Sequence, residues 1–105
     1  VIILDNSSYN LDNSSYNIII ENFTITNGNT SYGGGIAISN VDAILKNLRI
    51  KNNNASLNHA RGGGLYVSSS NVSLENVSIH DNGANGIYAS YGGGIYIGGE
   101  NCHFP

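Results

Sequence analysis

The chain has 105 residues, a net charge of −3 at pH 7, and only 10% charged residues. Its four Lys and Arg residues do not form the basic cluster that nucleic-acid binding requires, and its apolar runs are too short to span a membrane. A single cysteine, Cys102, excludes an internal disulfide framework, and we interpret it as a small buried hydrophobe.

The first 17 residues differ from the rest of the chain. Residues 1–4 are an apolar run typical of a strand, and the heptad LDNSSYN then occurs twice, at 4–10 and 11–17. Each heptad has one aliphatic residue where a coiled coil needs two. We predict that residues 1–17 form a loop or an irregular first coil. The chain also lacks Met and a signal-peptide pattern, which indicates a processed product or a segment of a longer protein.

Three segments superpose from residue 18 onwards. They are IENFTI at 20–25, LKNLRI at 45–50 and LENVSI at 74–79. In each, an Asn separates two short alternating stretches, which predicts two strands meeting at a bend. Alternation after the Asn directs one set of side chains inward and the residues between them outward. The inward pairs are Phe23 and Ile25, Leu48 and Ile50, Val77 and Ile79; the outward residues are Thr24, Arg49 and Ser78.

Turn residues follow each of these segments: Asn27-Gly28, Asn52-Asn53 and Asp81-Asn82. Segments of variable length come next, at 29–32, 54–61 and 83–91, and we predict that they are loops. A triple glycine and a short strand then return at 33–38, 62–67 and 92–97, with starts 29 and 30 residues apart. The first glycine suits a positive φ, and the missing Cβ atoms let successive turns of chain approach. A phosphate-binding loop is disfavoured because neither its spacing nor a following helix is present.

This period predicts an all-β parallel β-helix, or β-solenoid, with about three coils over residues 18–105. Equivalent strands would pair about 4.8 Å apart, and like residues would form ladders. The predicted interior ladders are Ile20/Leu45/Leu74, Ile25/Ile50/Ile79 and Ile36/Leu65/Ile95, with Asn22/Asn47/Asn76 at the bend and Phe104 pointing inward in the last coil. A β-sandwich is the alternative, but it favours longer strands with antiparallel patterning.

The repeat L-x-N-V-x-I, a loop and then G-G-G-I-Y resembles the β-helix repeat of large secreted microbial surface proteins. It is carried here by residues 74–79 and 92–96. Chlamydial polymorphic membrane proteins have a related G-G-A-I motif, whereas this chain has GGGI or GGGL. The resemblance implies a right-handed solenoid at the cell surface or outside the cell. It also implies a fold shared with pectate and alginate lyases, whose acidic calcium ligands have no counterpart in this sequence.

Function would lie on the outward positions. Glu21, Lys46 and Glu75 are predicted to form a ladder of alternating charge. Arg49, Lys51 and His80 are predicted to share a strip that binds an anionic sugar, and a solvated face is the alternative interpretation. The segments ending at Tyr32, Arg61 and Tyr91 are a further place where recognition would occur.

The sequence gives no catalytic constellation, and we predict no cofactor. His59, His80 and His103 occupy different repeat positions without metal-ligand spacing, and no carboxylates pair at equivalent sites. Several N-x-S/T sequons occur, of which Asn29 and Asn54 are the predicted glycosylation acceptors because they fall in the predicted loops.

The leading functional hypothesis is an extracellular structural or adhesive solenoid segment without catalysis, serving as a stalk or a filament subunit. Since the sequence contains no obvious capping repeat, its ends would be covered by flanking repeats or by another copy. The alternative is a polysaccharide-binding or lyase-like fragment that uses the basic strip. Ice binding is disfavoured because the outward strip has Thr in only one coil. No nucleic-acid partner is expected.

Overall fold

The computed structural model describes residues 1–5 and 17–98. Eleven β-strands lie in this part of the chain, and every strand pairing is parallel. Their bounds are β1 Ile2–Asp5, β2 Asn17–Glu21, β3 Thr24–Thr26, β4 Asn29–Thr30, β5 Ile36–Ser39, β6 Asp42–Lys51, β7 Asn54–Arg61, β8 Leu65–Ser68, β9 Val72–His80, β10 Gly83–Tyr91 and β11 Ile95–Gly98.

The strands form three sheets that the chain visits in turn. Sheet A contains β1, β5, β8 and β11; sheet B contains β2, β3, β6 and β9; sheet C contains β4, β7 and β10. Each coil runs through sheet B, sheet C and sheet A before the next coil begins above it. This arrangement confirms the predicted parallel β-helix and excludes the β-sandwich, since no antiparallel pair occurs in the described residues.

The predicted interior ladders are confirmed by the strand register. Ile20 pairs with Leu45 and Leu45 with Leu74. The same holds for the ladders Ile25/Ile50/Ile79 and Ile36/Leu65/Ile95, the latter extended downwards by Ile2. The ladder members of the middle coil are fully buried, and burial of each such side chain stabilises the folded state by roughly 1.5–3 kcal/mol. The apolar column between the sheets is therefore the core of the molecule.

Phe23 is the exposed member of the predicted inward pairs. Its neighbour Ile25 is 7% exposed, but Phe23 itself is 61% exposed. It lies in the lowest coil of sheet B, one level below the buried Leu48, and no described strand of this sheet lies beneath it. Phe23 lines the same hollow as Ile2 and Ile25, so its exposure arises because no described coil covers this end of the predicted inward face.

The predicted loops are also wrong. Residues 54–61 and 83–91 form the strands β7 and β10, and part of 29–32 forms β4, so together they make sheet C. Their composition is typical of loops, but stacking gives each backbone N–H and C=O a partner in the next coil. A bulge between Gly86 and Ala89 in β10 absorbs the length difference.

The Asn bend is confirmed, with one difference. Asn22, Asn47 and Asn76 all have positive φ, from 50° to 67°. Their amides form the predicted ladder, with Asn47 donating to Asn22 at 3.2 Å and Asn76 donating to Asn47 at 2.7 Å. In the second and third coils, however, the strand continues through the bend, so β6 and β9 are single bent strands rather than two short ones.

A second asparagine ladder lies inside the fold at the corner between sheets B and C. The Asn53 side chain is 2% exposed, donates to the carbonyl of Ile25 at 2.9 Å, and accepts from the N–H of Gly28 at 2.9 Å. One coil above, Asn82 donates to the carbonyl of Ile50 at 2.8 Å. The sequence indicated only turn residues here, and the buried hydrogen bonds come from the stacking of coils.

The triple glycines perform the predicted structural role. Gly33, Gly62 and Gly92 have φ between 61° and 67°, a region that L-residues with a Cβ rarely adopt. A Cβ on Gly63, the second glycine of the middle triplet, would lie 2.1 Å from the carbonyl oxygen of Gly83 and 2.3 Å from that of Gly93. The glycines therefore permit the close contact between consecutive coils.

Part of the first 17 residues is now placed. Residues 2–5 form β1, which pairs with β5, and β2 begins at Asn17. The corner between sheets A and B takes two residues, 40 and 41, in the next coil. Most of the tandem LDNSSYN, together with Cys102, His103 and the predicted inward Phe104, lies outside the described residues. None of the described residues forms a helix long and apolar enough to cross a membrane.

Candidate functional site

Two groups of outward side chains are assembled by the coil register. The first is the predicted basic strip, Arg49, Lys51 and His80. The second, which we call the tyrosine cluster, consists of Tyr32, Arg61, Tyr66, Tyr91 and Tyr96. They lie on different parts of the surface, the strip on sheet B and the cluster at the corner between sheets C and A.

The basic strip is built by neighbouring strands of sheet B. Arg49 and Lys51 lie two residues apart on β6 and so share its outer face, and His80 on β9 pairs with Lys51. Arg49 is exposed, and a shallow groove of about 250 Å³ beside it is lined by Asn47, Leu48, Asn76 and Ser78. The structure therefore brings the three predicted residues together.

The charges of the strip differ in their surroundings. His80 lies with its Nδ1 atom 2.9 Å from Oδ2 of Asp81, so an acidic neighbour offsets any positive charge on this imidazole. Arg49 and Lys51 form no ion pair within 4.0 Å in the described part of the chain, where the other such pair joins Lys46 and Glu75 at 3.4 Å. Within the described residues, Arg49 and Lys51 are thus two cations without an acidic partner.

The Lys46–Glu75 contact belongs to the predicted ladder of alternating charge. Lys46 lies between Glu21 and Glu75 in the strand register, so alternation keeps the two carboxylates two coils apart. Because the Glu75 side chain is 63% exposed, solvent screens this pair and its contribution to stability is small. We therefore interpret the ladder as compatible with the stacking of coils rather than as a ligand site.

The tyrosine cluster arises because aromatic residues flank the glycine turn. Arg61, which precedes the turn, pairs with Tyr32 below and with Tyr91 above. After the turn, Tyr66 pairs with Tyr96 above and with Ala37 below. The turn brings both columns to one corner of the coil, where they meet.

The rings of this cluster are stacked. Tyr66 lies between two other tyrosines, with its ring centroid 5.1 Å from that of Tyr32 and 5.4 Å from that of Tyr96. The ring planes are nearly parallel, with interplanar angles of 19° and 4°. Ala37 has no ring to offer at the position below Tyr66, and Tyr32 supplies one from the neighbouring column. Such pairs contribute roughly 0.5–1.5 kcal/mol each beyond their buried area.

The guanidinium of Arg61 lies among these rings. Its central carbon is 5.7 Å from the ring centroid of Tyr32, 5.5 Å from that of Tyr91, and 5.4 Å from that of Tyr96. These distances are within the range of cation–π attraction. The residue is half-buried, its Nε atom is buried without a hydrogen-bond partner, and no described carboxylate lies within 4.0 Å.

The sequence indicated this region only as the ends of three predicted loops. Two sequence features signalled it. A tyrosine or arginine directly precedes each triple glycine, and Tyr66 and Tyr96 lie four residues after the first glycine of the second and third triplets. The two columns touch only because the glycine turn is tight, and that contact required the three-dimensional structure.

The predicted glycosylation acceptors are found in strands rather than in loops. Asn29 begins β4 and Asn54 begins β7, and they pair with each other. The Oδ1 atom of Asn29 accepts a hydrogen bond from Ser56 at 2.7 Å, and that of Asn54 accepts one from Asn85 at 2.5 Å. The prediction that these residues lie in loops is wrong, because the loop-like segments join sheet C.

The remaining candidates form no metal site in the described part of the chain. There, no group of three His, Asp, Glu or Cys residues is placed to hold a metal ion. His59, on β7, instead lies against Tyr88 beside the bulge of β10, with ring centroids 5.8 Å apart.

Comparison with known proteins agrees with this geometry. The family model described as a right handed beta helix region matches residues 2–104, almost the whole chain. No curated protein and no solved structure matches the chain. The chain therefore belongs to the right-handed β-helix family.

Proposed function

We propose that this chain is a structural and adhesive segment of an extracellular β-solenoid, acting as a stalk or a filament subunit through the stacking of further coils. One observation carries the proposal: the interior of the last described coil is open. Ile95 and Ile97 are 38% and 48% exposed, whereas their ladder partners one coil below, Leu65 and Val67, are fully buried.

The exposed face of the last described coil has the same residue types and the same backbone turn as the coil below it. It presents Leu74, Ile95 and Ile97 in the ladder positions that are buried in the middle coil. Its glycine turn, at 92–94, repeats the turn at 62–64 through which the second and third coils are joined by backbone hydrogen bonds. A coil of the same period would therefore cover these side chains and pair with this edge.

The opposite end of the described coils is also apolar. Phe23 is exposed there, and a hollow is lined by Val1, Ile2, Phe23 and Ile25 together with two threonines. Because the two ends differ, copies would associate head to tail, and such contacts generate open filaments when they do not close. Head-to-tail contact would, however, place Glu21 of one copy next to Glu75 of another, which favours flanking repeats of the same chain as the covering element.

Adding one coil tests this proposal. We would insert a second copy of residues 69–98 directly after Gly98, with Glu75→Lys in the added copy to keep the charges alternating. We expect the free energy of unfolding to rise by about 2 kcal/mol, because the added coil buries three exposed aliphatic side chains. Urea denaturation monitored by far-UV circular dichroism measures the change.

Gly93→Ala in the original coil is the matched control. By analogy with Gly63, whose Cβ would meet the carbonyl of Gly93 at 2.3 Å, a Cβ at position 93 would clash with the added coil and remove the gain. An added coil that brings no stability, or a gain insensitive to Gly93→Ala, would refute stacking on this face. Sedimentation of the 105-residue chain shows whether a second copy covers the face instead.

The extracellular setting is proposed from the resemblance to secreted microbial surface proteins. Labelling of intact cells with an antibody to the chain, compared with permeabilised cells, measures it directly. Signal from intact cells supports the setting, and signal only after permeabilisation contradicts it.

A second candidate function is polysaccharide binding by the basic strip. The observation in its favour is that Arg49 and Lys51 share one outward face without any acid partner in the described residues. We expect retention on immobilised polyuronate that Arg49→Ala weakens and that added salt reduces. Lys46→Ala is the control, since Lys46 already pairs with Glu75. If both variants were retained equally, or if the parent chain were not retained at all, the strip would be a solvated face and not a binding site. Release of unsaturated products would instead indicate lyase activity.

A further inference from the structure

We propose that the tyrosine cluster is a second, separate ligand site, in which Arg61 binds the carboxylate or sulfate group of an acidic sugar. This inference goes beyond both candidate functions, because it concerns residues on another part of the surface from the basic strip and from the stacking faces. It starts from a charge that the described part of the fold leaves without a partner.

Arg61 is held in place more firmly than an ordinary surface arginine. Three tyrosine ring centroids lie 5.4–5.7 Å from its guanidinium carbon, and the residue is half-buried. An arginine that is already ordered loses little side-chain entropy when it binds a ligand. The cluster therefore presents a positioned guanidinium rather than a mobile one.

The hydrogen-bonding capacity of Arg61 is not used within the described chain. A guanidinium carries five N–H donors. None of them bonds to a described carboxylate within 4.0 Å, and Nε is buried without an acceptor. Ring faces attract the positive charge but do not replace directed hydrogen bonds. An oxyanion would complete this site by accepting two parallel hydrogen bonds from the terminal Nη groups, since the buried Nε atom is closed to a ligand.

The surroundings of Arg61 specify what carries the oxyanion. Tyr32 and Tyr91, on either side of it, are 44% and 47% exposed and combine apolar ring surface with hydroxyl groups. A sugar ring offers both apolar C–H faces and hydroxyl groups to such neighbours. A nucleic acid does not fit, since one arginine in a chain of net charge −3 gives little of the phosphate neutralisation that nucleic-acid binding needs.

A purely structural role for Arg61 makes a different prediction. In that case it only fills a place in the column between Tyr32 and Tyr91, and loss of its charge would affect stability alone. Ligand binding therefore has to be measured separately from folding, and a variant that keeps the charge is needed as well.

The test is isothermal titration calorimetry of the 105-residue chain with galacturonate oligomers, their fully methyl-esterified form, and a sulfated oligosaccharide. We expect the acidic oligomers to bind and the neutral ester not to bind. Arg61→Gln should raise Kd by about tenfold or more, because a charge-assisted hydrogen-bond pair is lost. Arg61→Lys should recover only part of the affinity, since it keeps the charge but not the paired donors. Preference between the uronate and the sulfate arms identifies the anion.

Lys46→Gln is the matched control, because it removes one positive charge outside both the tyrosine cluster and the basic strip, at a residue already paired with Glu75. An affinity lost equally in Arg61→Gln and Lys46→Gln would indicate non-specific attraction and overturn the site at Arg61. An affinity lost in Arg49→Gln but kept in Arg61→Gln would assign binding to the strip, and absence of binding by the parent chain in both acidic arms would also overturn the proposal. Circular dichroism on each variant verifies that the coils are intact. The coil-addition experiment is independent of this one, so the two proposals fail separately.

Discussion

Gly63→Ala is expected to disrupt the stack of coils. The added Cβ would lie 2.1 Å and 2.3 Å from the carbonyl oxygens of Gly83 and Gly93, and both are backbone atoms that cannot rotate away. The second and third coils would have to separate, which removes hydrogen bonds along the turn and loosens the aliphatic column. We expect the free energy of unfolding to fall by about 3 kcal/mol, measured by urea denaturation of dilute protein.

Gly93→Ala is the matched control for this prediction. Gly93 occupies the same position of the next triplet, but the nearest atom to its added Cβ is 3.5 Å away, which is ordinary contact. We expect a change within about 0.5 kcal/mol in the 105-residue chain. If both alanines were equally harmful, glycine would be needed for backbone conformation and not for the approach of the next coil.

Asn53→Ala is expected to be the second most damaging change. The buried amide donates to the carbonyls of Ile25 and Lys51 and accepts the N–H of Gly28. Alanine would leave the Ile25 carbonyl and the Gly28 N–H buried without these partners, and each such group costs about 1–3 kcal/mol. We therefore expect a loss of about 3 kcal/mol, seen as a lower urea midpoint with an unchanged far-UV spectrum before the transition.

Asn47→Gly provides the comparison for Asn53. Asn47 also bonds to asparagines in both neighbouring coils, but its side chain is exposed, so water replaces those bonds. Glycine accepts the positive φ of 50° at this position without strain. We expect a loss of about 1 kcal/mol or less; a loss as large as that of Asn53→Ala would show that burial is not what distinguishes the two ladders.

The interior of the fold followed from the sequence with little error. Ile25, Ile50 and Ile79 pair as predicted, because like residues recur at a period that only parallel stacking satisfies. The left-handed turn residues and the outer asparagine ladder also followed, since Asn tolerates positive φ and its amide can bond to an identical neighbour. These are local or strictly periodic properties, and the same sequence pattern indicates them in each copy of the repeat.

Sheet C could not be predicted in the same way. Its segments differ in length and are rich in Asn, Ser, Ala and Gly, a composition that indicates loops. Strands form there because the two sheets on either side already hold consecutive coils at pairing distance. Backbone groups of the intervening segments then find partners whatever their side chains are, and the bulge in β10 accommodates one extra residue.

The two candidate sites also differ in whether the sequence alone could predict them. The basic strip was predictable, because Arg49, Lys51 and His80 fall at repeat positions whose orientation alternation specifies. The tyrosine cluster was not, because it joins residues from two columns on opposite sides of a glycine turn. Distances of 5.4–5.7 Å between Arg61 and three rings depend on how tightly that turn closes.

The sequence by itself determined the period, the interior ladders and the parallel solenoid, because these properties repeat in every coil and depend on backbone preference and side-chain polarity. Only the tertiary structure decided that sheet C exists, that Asn53 is buried with its hydrogen bonds satisfied, and that Arg61 lies among tyrosines without an anionic partner in the described chain. The physical reason is that each of these depends on contacts between coils, where closeness is set by the glycine turns rather than by any residue's own preference.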